Sequence, residues 1–277
     1  MYRVSKVLNN NGVIAINMEE NQEYVLLGKG VGFGKKVSQR FDKPEGCTTY
    51  RLEQETERGS AKELVKGIEP EYLEIADAIL TESQKVFGDS IDRGILFPLA
   101  DHISFAVARI RRNEQISNPL TEDIKVLFYS EFKVAETLKT ILRERLQIEI
   151  DDHEVGYVAL HIHSAIGDEK VSVAMQTARA VRECIDMLEK ATGKPIDVLS
   201  LSYNRLMNHM KYMVARASTG EKLNLDMNEY MLDQYPQAYK VATDICKNLE
   251  GCIGHKLDET ETGYLAMHIQ RVYKDAV

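Results

Sequence analysis

Nothing in this 277-residue chain approaches the ~18 consecutive apolar residues that a membrane span requires. The opening Met1-Tyr2-Arg3-Val4-Ser5-Lys6 starts no hydrophobic signal segment. Both absences predict a soluble, cytoplasmic protein without membrane insertion. Cysteine is scarce: Cys47, Cys184, Cys246 and Cys252 read as reduced thiols rather than a disulfide framework. Positive charge is short, with 35 Lys and Arg against 43 Asp and Glu and a net charge of −8, which speaks against coating nucleic acid by bulk charge. A G-x-x-x-x-G-K-[ST] phosphate loop and the kinase signature are also missing, so any phosphate placed on this chain would have to come from an outside donor. What is present, 44% hydrophobic and 28% charged residues, suits a globular chain of two or three domains.

The N-terminal stretch reads as a small all-β unit. Tyr2–Leu8 is extended, Asn9-Asn10-Asn11-Gly12 is a turn, and Val13–Asn17 and Glu23–Leu27 are strand-like. The run Gly28-Lys29-Gly30-Val31-Gly32-Phe33-Gly34-Lys35-Lys36 places glycine at alternate positions, which excludes a stable helix and makes a poor strand. It predicts a loop whose backbone comes close to something. No helix start follows to hold a phosphate, so it is not a nucleotide site. Five basic residues (Arg3, Lys6, Lys29, Lys35, Lys36) against three acids (Glu19, Glu20, Glu23) leave residues 1–36 at +2 inside an acidic protein. Nucleic-acid contact is expected there. So short a unit buries too little apolar surface to be secure alone, which favours self-association. The polar stretch Glu53–Lys62 is the expected linker.

Beyond it the pattern becomes helical and repeats. Asp101-His102-Ile103-Ser104-Phe105-Ala106-Val107-Ala108-Arg109 aligns with Asn208-His209-Met210-Lys211-Tyr212-Met213-Val214-Ala215-Arg216 at an offset of 107 residues. Lys133-Val134-Ala135 recurs as Lys240-Val241-Ala242, and Glu154-Val155-Gly156-Tyr157-Val158-Ala159-Leu160-His161-Ile162 as Glu261-Thr262-Gly263-Tyr264-Leu265-Ala266-Met267-His268-Ile269, both at the same offset of 107. Three separated blocks sharing one ungapped offset define two copies of one helical domain, joined near residues 167–172.

Four histidines fall at equivalent places: His102 with His209, and His161 with His268. Ile103, Ala106, Val107 and Ile110 mark one buried face, with His102, Phe105 and Arg109 on a neighbouring stripe. Val155, Val158, Ala159 and Ile162 mark another, with Glu154, Tyr157 and His161 beside it. Each copy thus sets a histidine at the edge of an apolar stripe on two helices that can face one another. Three readings stand: satisfied core-edge residues, metal ligands, or acceptors of phosphate. His161-Ile162-His163 resembles an H-x-H ligand pair, but the two rings point ~200° apart on a helix, and Gln270 replaces the second in the other copy. Cys252 with His255 lacks a companion ligand pair. Neutral imidazole, with an ordinary pKa of ~6.5, is available as a nucleophile near neutral pH.

These residues resemble the BglG/SacY/LicT family of transcriptional antiterminators of the sugar phosphotransferase system, nearest its glucose-type branch. The likeness spans the chain. Lys6-Val7-Leu8-Asn9-Asn10-Asn11 and Leu27–Lys36 look like the family's RNA-binding signature; Asp101-His102-Ile103 and Ala159-Leu160-His161-Ile162-His163 look like its regulatory histidine motifs. The resemblance implies a multidomain fold: a small all-β co-antiterminator RNA-binding domain (residues 1–57), then two homologous all-α phosphotransferase-system regulation domains, PRD helical bundles, at 65–170 and 171–277.

It further implies a homodimer that binds a hairpin in the leader mRNA of a sugar-uptake operon. Lys6, Asn9, Asn10, Asn11, Gly28, Lys29, Gly30, Phe33, Lys35 and Lys36 are the expected RNA contacts. His102, His161, His209 and His268 are the expected phosphorylation sites, with the phosphocarrier protein HPr and a sugar permease (enzyme II) as donors. Arg109 and Arg216 are candidates to pair with the added charge. Modification of His102 and His161 is expected to inhibit, while the sign at His209 and His268 differs among members. Asn208 where the first copy has Asp101 puts the equivalence of the two sites in question. No catalytic residue, metal or cofactor is implied. Two rivals remain: a DNA-binding activator carrying the same duplicated domains, against which the strand-like N-terminus speaks, and a metal-dependent hydrolase using His102, His161 and His163.

Overall fold

The computed structural model describes residues 1–52, 55–56, 59–114, 116–167, 170–193, 196–197 and 200–275. Strands β1 (Tyr2–Asn9), β2 (Gly12–Asn17), β3 (Gln22–Leu27), β4 (Arg40–Phe41) and β5 (Thr48–Arg51) form an antiparallel sheet in the order β4-β1-β2-β3-β5. Period-two alternation turns Val4, Val13, Ala15 and Leu26 to one side, where Val31, Phe41 and Cys47 complete the core. The β2–β3 register runs unbroken from Gly12↔Leu27 to Asn17↔Gln22. This pairing brings the 9–12 turn alongside the start of the glycine loop.

The expected linker is only partly within the described residues. Those that are described form a two-residue ladder, β6 (Glu55–Thr56) with β7 (Gly59–Ser60), and the start of α1 (Ala61–Gly67). Ser60 caps that helix by accepting a bond from Glu63 N at 3.3 Å. A Ser-x-x-Glu start signal sat inside what composition alone marks as a polar connector. The remaining helices are α2 (Pro70–Phe87), α3 (Leu96–Arg111), α4 (Thr121–Leu127), α5 (Tyr129–Ala135), α6 (Thr137–Leu146), α7 (Asp152–Gly167), α8 (Val171–Thr192), α9 (Leu201–Thr219), α10 (Asn228–Gln234), α11 (Pro236–Ile253) and α12 (Glu261–Asp275).

Two compact units result, one made of residues 1–118 and 130–170, the other of 119–129 and 171–277. In the first, the face of α3 read from periodicity is buried at Ile103, Ala106 and Val107, as are Val155, Val158, Ala159 and Ile162 of α7. Ile110 is half-buried, because it nears the end of α3. In the second unit, α4 lies against α8 and α9 although its sequence position belongs to the first repeat. Its Asp123 is buried, bonds the Tyr203 hydroxyl, and is pushed by burial up to about 6.

Candidate functional site

In the first unit the 9–12 turn and the 28–36 loop are tied into one surface. Gly28 N donates to Asn11 O at 2.9 Å, and Gly32 N to Asn10 O at 3.0 Å. Asn9 Oδ1 accepts from Asn11 N at 2.8 Å, and Asn11 Oδ1 accepts from Gly30 N at 3.0 Å. The partner of the glycine run is therefore the asparagine turn. A Cβ on Gly32 would stand 2.0 Å from Asn9 O, and Gly30 adopts φ +74°, so the two glycines answer different demands. Phe33 is 74% exposed, with no burial to explain it. Lys6, Asn10, Lys29, Gly30 and Lys36 are exposed; Asn9, Asn11, Gly28 and Lys35 are half-buried, and Lys35 Nζ lies 4.9 Å from the Phe41 ring centre.

Each regulation domain brings its two repeated histidines together. Helix α3 carries His102 and Arg109 two turns apart, and α7 carries Glu154, Tyr157 and His161 at i, i+3 and i+7. The His102 and His161 ring centres are 5.3 Å apart, and His209 and His268 stack at 4.7 Å. Tyr157 flanks His102 at 5.7 Å and Tyr264 flanks His209 at 6.2 Å. The nitrogens His102 Nε2, His209 Nε2 and His268 Nδ1 are buried without a hydrogen-bond partner. Burial, aided by the neighbouring His268 and Arg216, drives the His209 pKa down to about 3. Burial, with Arg271 and Arg205, takes His268 to about 4. This pair is neutral at physiological pH and keeps its nucleophilic lone pairs.

Neither candidate arginine is waiting for a ligand. Arg109 Nη2 donates to Glu154 Oε1 at 2.8 Å, and Arg216 clasps Glu261 through Nε at 2.6 Å and Nη2 at 3.0 Å. The other oxygen of Glu154 is 3.6 Å from His102 Nε2, and Glu261 Oε2 is 3.6 Å from His209 Nε2. Burial works to raise the Glu154 pKa, but His102 and Arg109 outweigh it and hold the carboxyl below its ordinary range. Glu261 would favour an imidazolium at His209 were its charge not matched by Arg216. Sequence reasoning put Glu154 beside His161 and gave it no role. The signal was there, since an acid seven residues before the second histidine recurs as Glu261. A cavity of about 190 Å³ opens beside Arg216 and Glu261, lined also by Lys222 and Lys256.

The H-x-H pair separates as helix geometry demands: His161 faces His102, while His163 Nδ1 meets Glu131 Oε1 at 2.9 Å. Among the described residues no three His, Cys, Asp or Glu side chains converge to hold a metal. No described helix is long and apolar enough to cross a membrane.

A small antiparallel sheet is followed by duplicated helical domains, each with a facing pair of histidines, and comparison with known proteins assigns that architecture to RNA-binding regulators governed by phosphorylation. The CAT RNA binding domain model matches residues 2–59, and the PRD domain model matches 77–165 and again 181–272. The chain is 30% identical over 274 residues to the GlcA/glcB genes antiterminator of Staphylococcus carnosus, covering 97% of this chain and 94% of that protein. It is 27% identical over 278 residues to transcription antiterminator LicT of Bacillus subtilis, covering 99% and 100%. The crystal structure of GlcT CAT-PRDI aligns with a TM-score of 0.52 at 30% identity, over 60% of this chain and 98% of that one. The chain belongs to the BglG family of transcriptional antiterminators, in its GlcT-type branch: an RNA-binding antiterminator regulated by phosphorylation from the sugar phosphotransferase system. Its relatives are named as regulators rather than enzymes.

Proposed function

We propose that this chain acts in the cytoplasm as a homodimer whose small sheet grips a leader-mRNA hairpin, and that phosphate on His102, His161, His209 and His268 sets how well it does so. The observation that carries the reading is the facing imidazole pair, present in both copies and each braced by a Glu and an Arg.

On the RNA side, the Nδ2 groups of Asn9 and Asn11, whose amide oxygens hold the turn and the loop, supply donors for base edges, and the exposed Asn10 amide supplies a donor and an acceptor. Gly28 and Gly30 let the backbone approach a ribose or phosphate, and Phe33 offers a stacking face for an unpaired base. Lys6, Lys29, Lys35 and Lys36 answer phosphodiesters.

On the regulatory side, HPr and an enzyme II permease are the donors. The lone pair of an acceptor imidazole forms the new N–P bond as the donor's bond to phosphorus breaks, and the ring's N–H proton passes to the released donor group. The product carries a charge approaching −2 and three acceptor oxygens. At His102 that charge arises beside the Glu154 carboxylate, 3.6 Å from Nε2. Repulsion drives the carboxylate off and Arg109 exchanges it for the phosphoryl group; Arg216 does the same beside Glu261. The exchange repacks α3 against α7, and α9 against α12, and so biases the equilibrium between active and inactive dimers. Phosphate on the first regulation domain favours the inactive form.

The test is the affinity of the full chain for a hairpin selected from a randomised-loop RNA library, before and after phosphorylation. Binding at least tenfold weaker with His102 and His161 modified is expected. Equal binding contradicts the reading.

A further inference from the structure

The amides offered to RNA are already occupied. Asn9 Nδ2 donates to Glu74 Oε1 at 2.7 Å, and Asn11 Nδ2 donates to Glu74 Oε2 at 3.2 Å. One carboxylate of helix α2, in the first regulation domain, thus bridges two asparagines of the RNA-binding turn. The amide oxygens are committed elsewhere, to Asn11 N and Gly30 N, so the Nδ2 groups are what these side chains have left to give. A carboxylate presents two oxygens side by side, the acceptor pattern of a phosphodiester or of paired acceptors on a base edge.

Glu74 is not needed to dock α2 on the sheet. One turn on, Asp77 does that: it accepts from the buried Tyr50 hydroxyl and from Arg93 Nη2 at 2.8 Å, while Lys62 pairs with Glu23 at 2.6 Å. Glu74 also has somewhere to go, since Arg145 Nη1 on α6 lies 3.7 Å from its Oε2.

We propose that Glu74 is an internal competitor for the RNA site, standing where an RNA acceptor must bind and setting hairpin affinity by the cost of its removal. Two anionic groups cannot share these donors, so RNA enters only as the Glu74 carboxylate leaves. The inference rests on the reading of Asn9 and Asn11 as RNA contacts.

The experiment measures the affinity of the full-length chain for the library-selected hairpin in four forms: wild type, Glu74→Gln, Glu71→Gln and Asn11→Ala. Glu74→Gln keeps the shape, removes the charge and leaves one asparagine donor unmatched, so binding tightens roughly threefold to tenfold. Glu71→Gln removes the same charge one turn away and changes affinity less than twofold. Unchanged or weaker binding by Glu74→Gln overturns the proposal, and so does an equal gain from Glu71→Gln, which marks bulk charge. Asn11→Ala separates the two levels: if it binds like wild type, the RNA reading itself has failed and the competitor falls with it. Hydrogen exchange on the unmodified chain adds a readout independent of any variant. Amides of α2 around residues 71–78 exchange faster when the hairpin binds, and unchanged or slower exchange there overturns the proposal.

Discussion

Arg216 holds Glu261 at both carboxylate oxygens, at 2.6 and 3.0 Å, while that carboxylate stays almost wholly buried. A buried charge that loses its partner carries an uncompensated desolvation cost. Arg216→Gln strands Glu261 and is expected to destabilise the second unit by roughly 3 kcal/mol. Arg109→Gln costs less, because Arg109 makes one bond to Glu154 at 2.8 Å and is more exposed. Urea unfolding of the two variants checks the order, and an equal loss in both contradicts it.

The pH dependence of the second unit follows from its neutral histidines. Unfolded, each imidazole protonates near ~6.5; folded, His209 and His268 wait until about 3 and about 4. The unfolded chain therefore binds more protons as the pH falls below the ordinary histidine value, and stability drops. Between pH 6.5 and 5 His209 costs on the order of 2 kcal/mol, and the less buried His268 costs less, because solvent screens part of its shift. Asp123, raised to about 6, acts in the opposite direction and offsets part of this. Thermal melts from pH 7 to 5 should show a falling midpoint for the second unit, and the double variant His209→Asn, His268→Asn should flatten the slope.

The glycine loop yields a contrast of two substitutions. Gly32→Ala drives a methyl into Asn9 O, where a Cβ would stand at 2.0 Å, and must separate the loop from the turn. Gly30→Ala meets open space and carries only the strain of φ +74°, about 1 kcal/mol. Gly32→Ala should abolish hairpin binding, whereas Gly30→Ala keeps most of the fold. Equal behaviour would show that the two loops are not tied as described.

Phe33 and Lys36 separate stacking from charge. Phe33→Ala removes an exposed ring, so the melting temperature stays put while hairpin affinity falls by about 1–3 kcal/mol. Lys36→Gln should weaken binding and reduce the salt slope by roughly 0.7–0.9 for the one lost phosphate contact. Titrations at several salt concentrations read both effects.

How much of this was legible in the sequence depends on how local its cause is. The strands and the loop follow from alternation and from glycine spacing, which need only neighbours along the chain, and the equivalence of the histidines follows from a repeat at a fixed offset of 107 residues, which needs only the chain laid on itself. The burial of Ile103, Val107, Val155 and Ile162 was fixed by the same periodicity. Glu74 was invisible, because it is an unremarkable acid on a helical stripe until folding brings it against Asn9 and Asn11, 65 and 63 residues away. The partner that Arg109 holds was equally out of view: Glu154 lies 45 residues on, and only the packing of α3 on α7 joins them. The placement of α4 beside α8 and α9 had no sequence signal either, since its apolar positions are the same whichever copy receives them.

The central claim is that the facing imidazoles accept phosphate. The full chain is incubated with phosphoenolpyruvate, enzyme I, HPr and a glucose-type permease, and acid-labile phosphate is then mapped by mass spectrometry. Phosphate on His102, His161, His209 or His268, abolished site by site when each is replaced, is the predicted result. A chain that takes up phosphate on none of the four, or only on His153, His163 or His255, would contradict it.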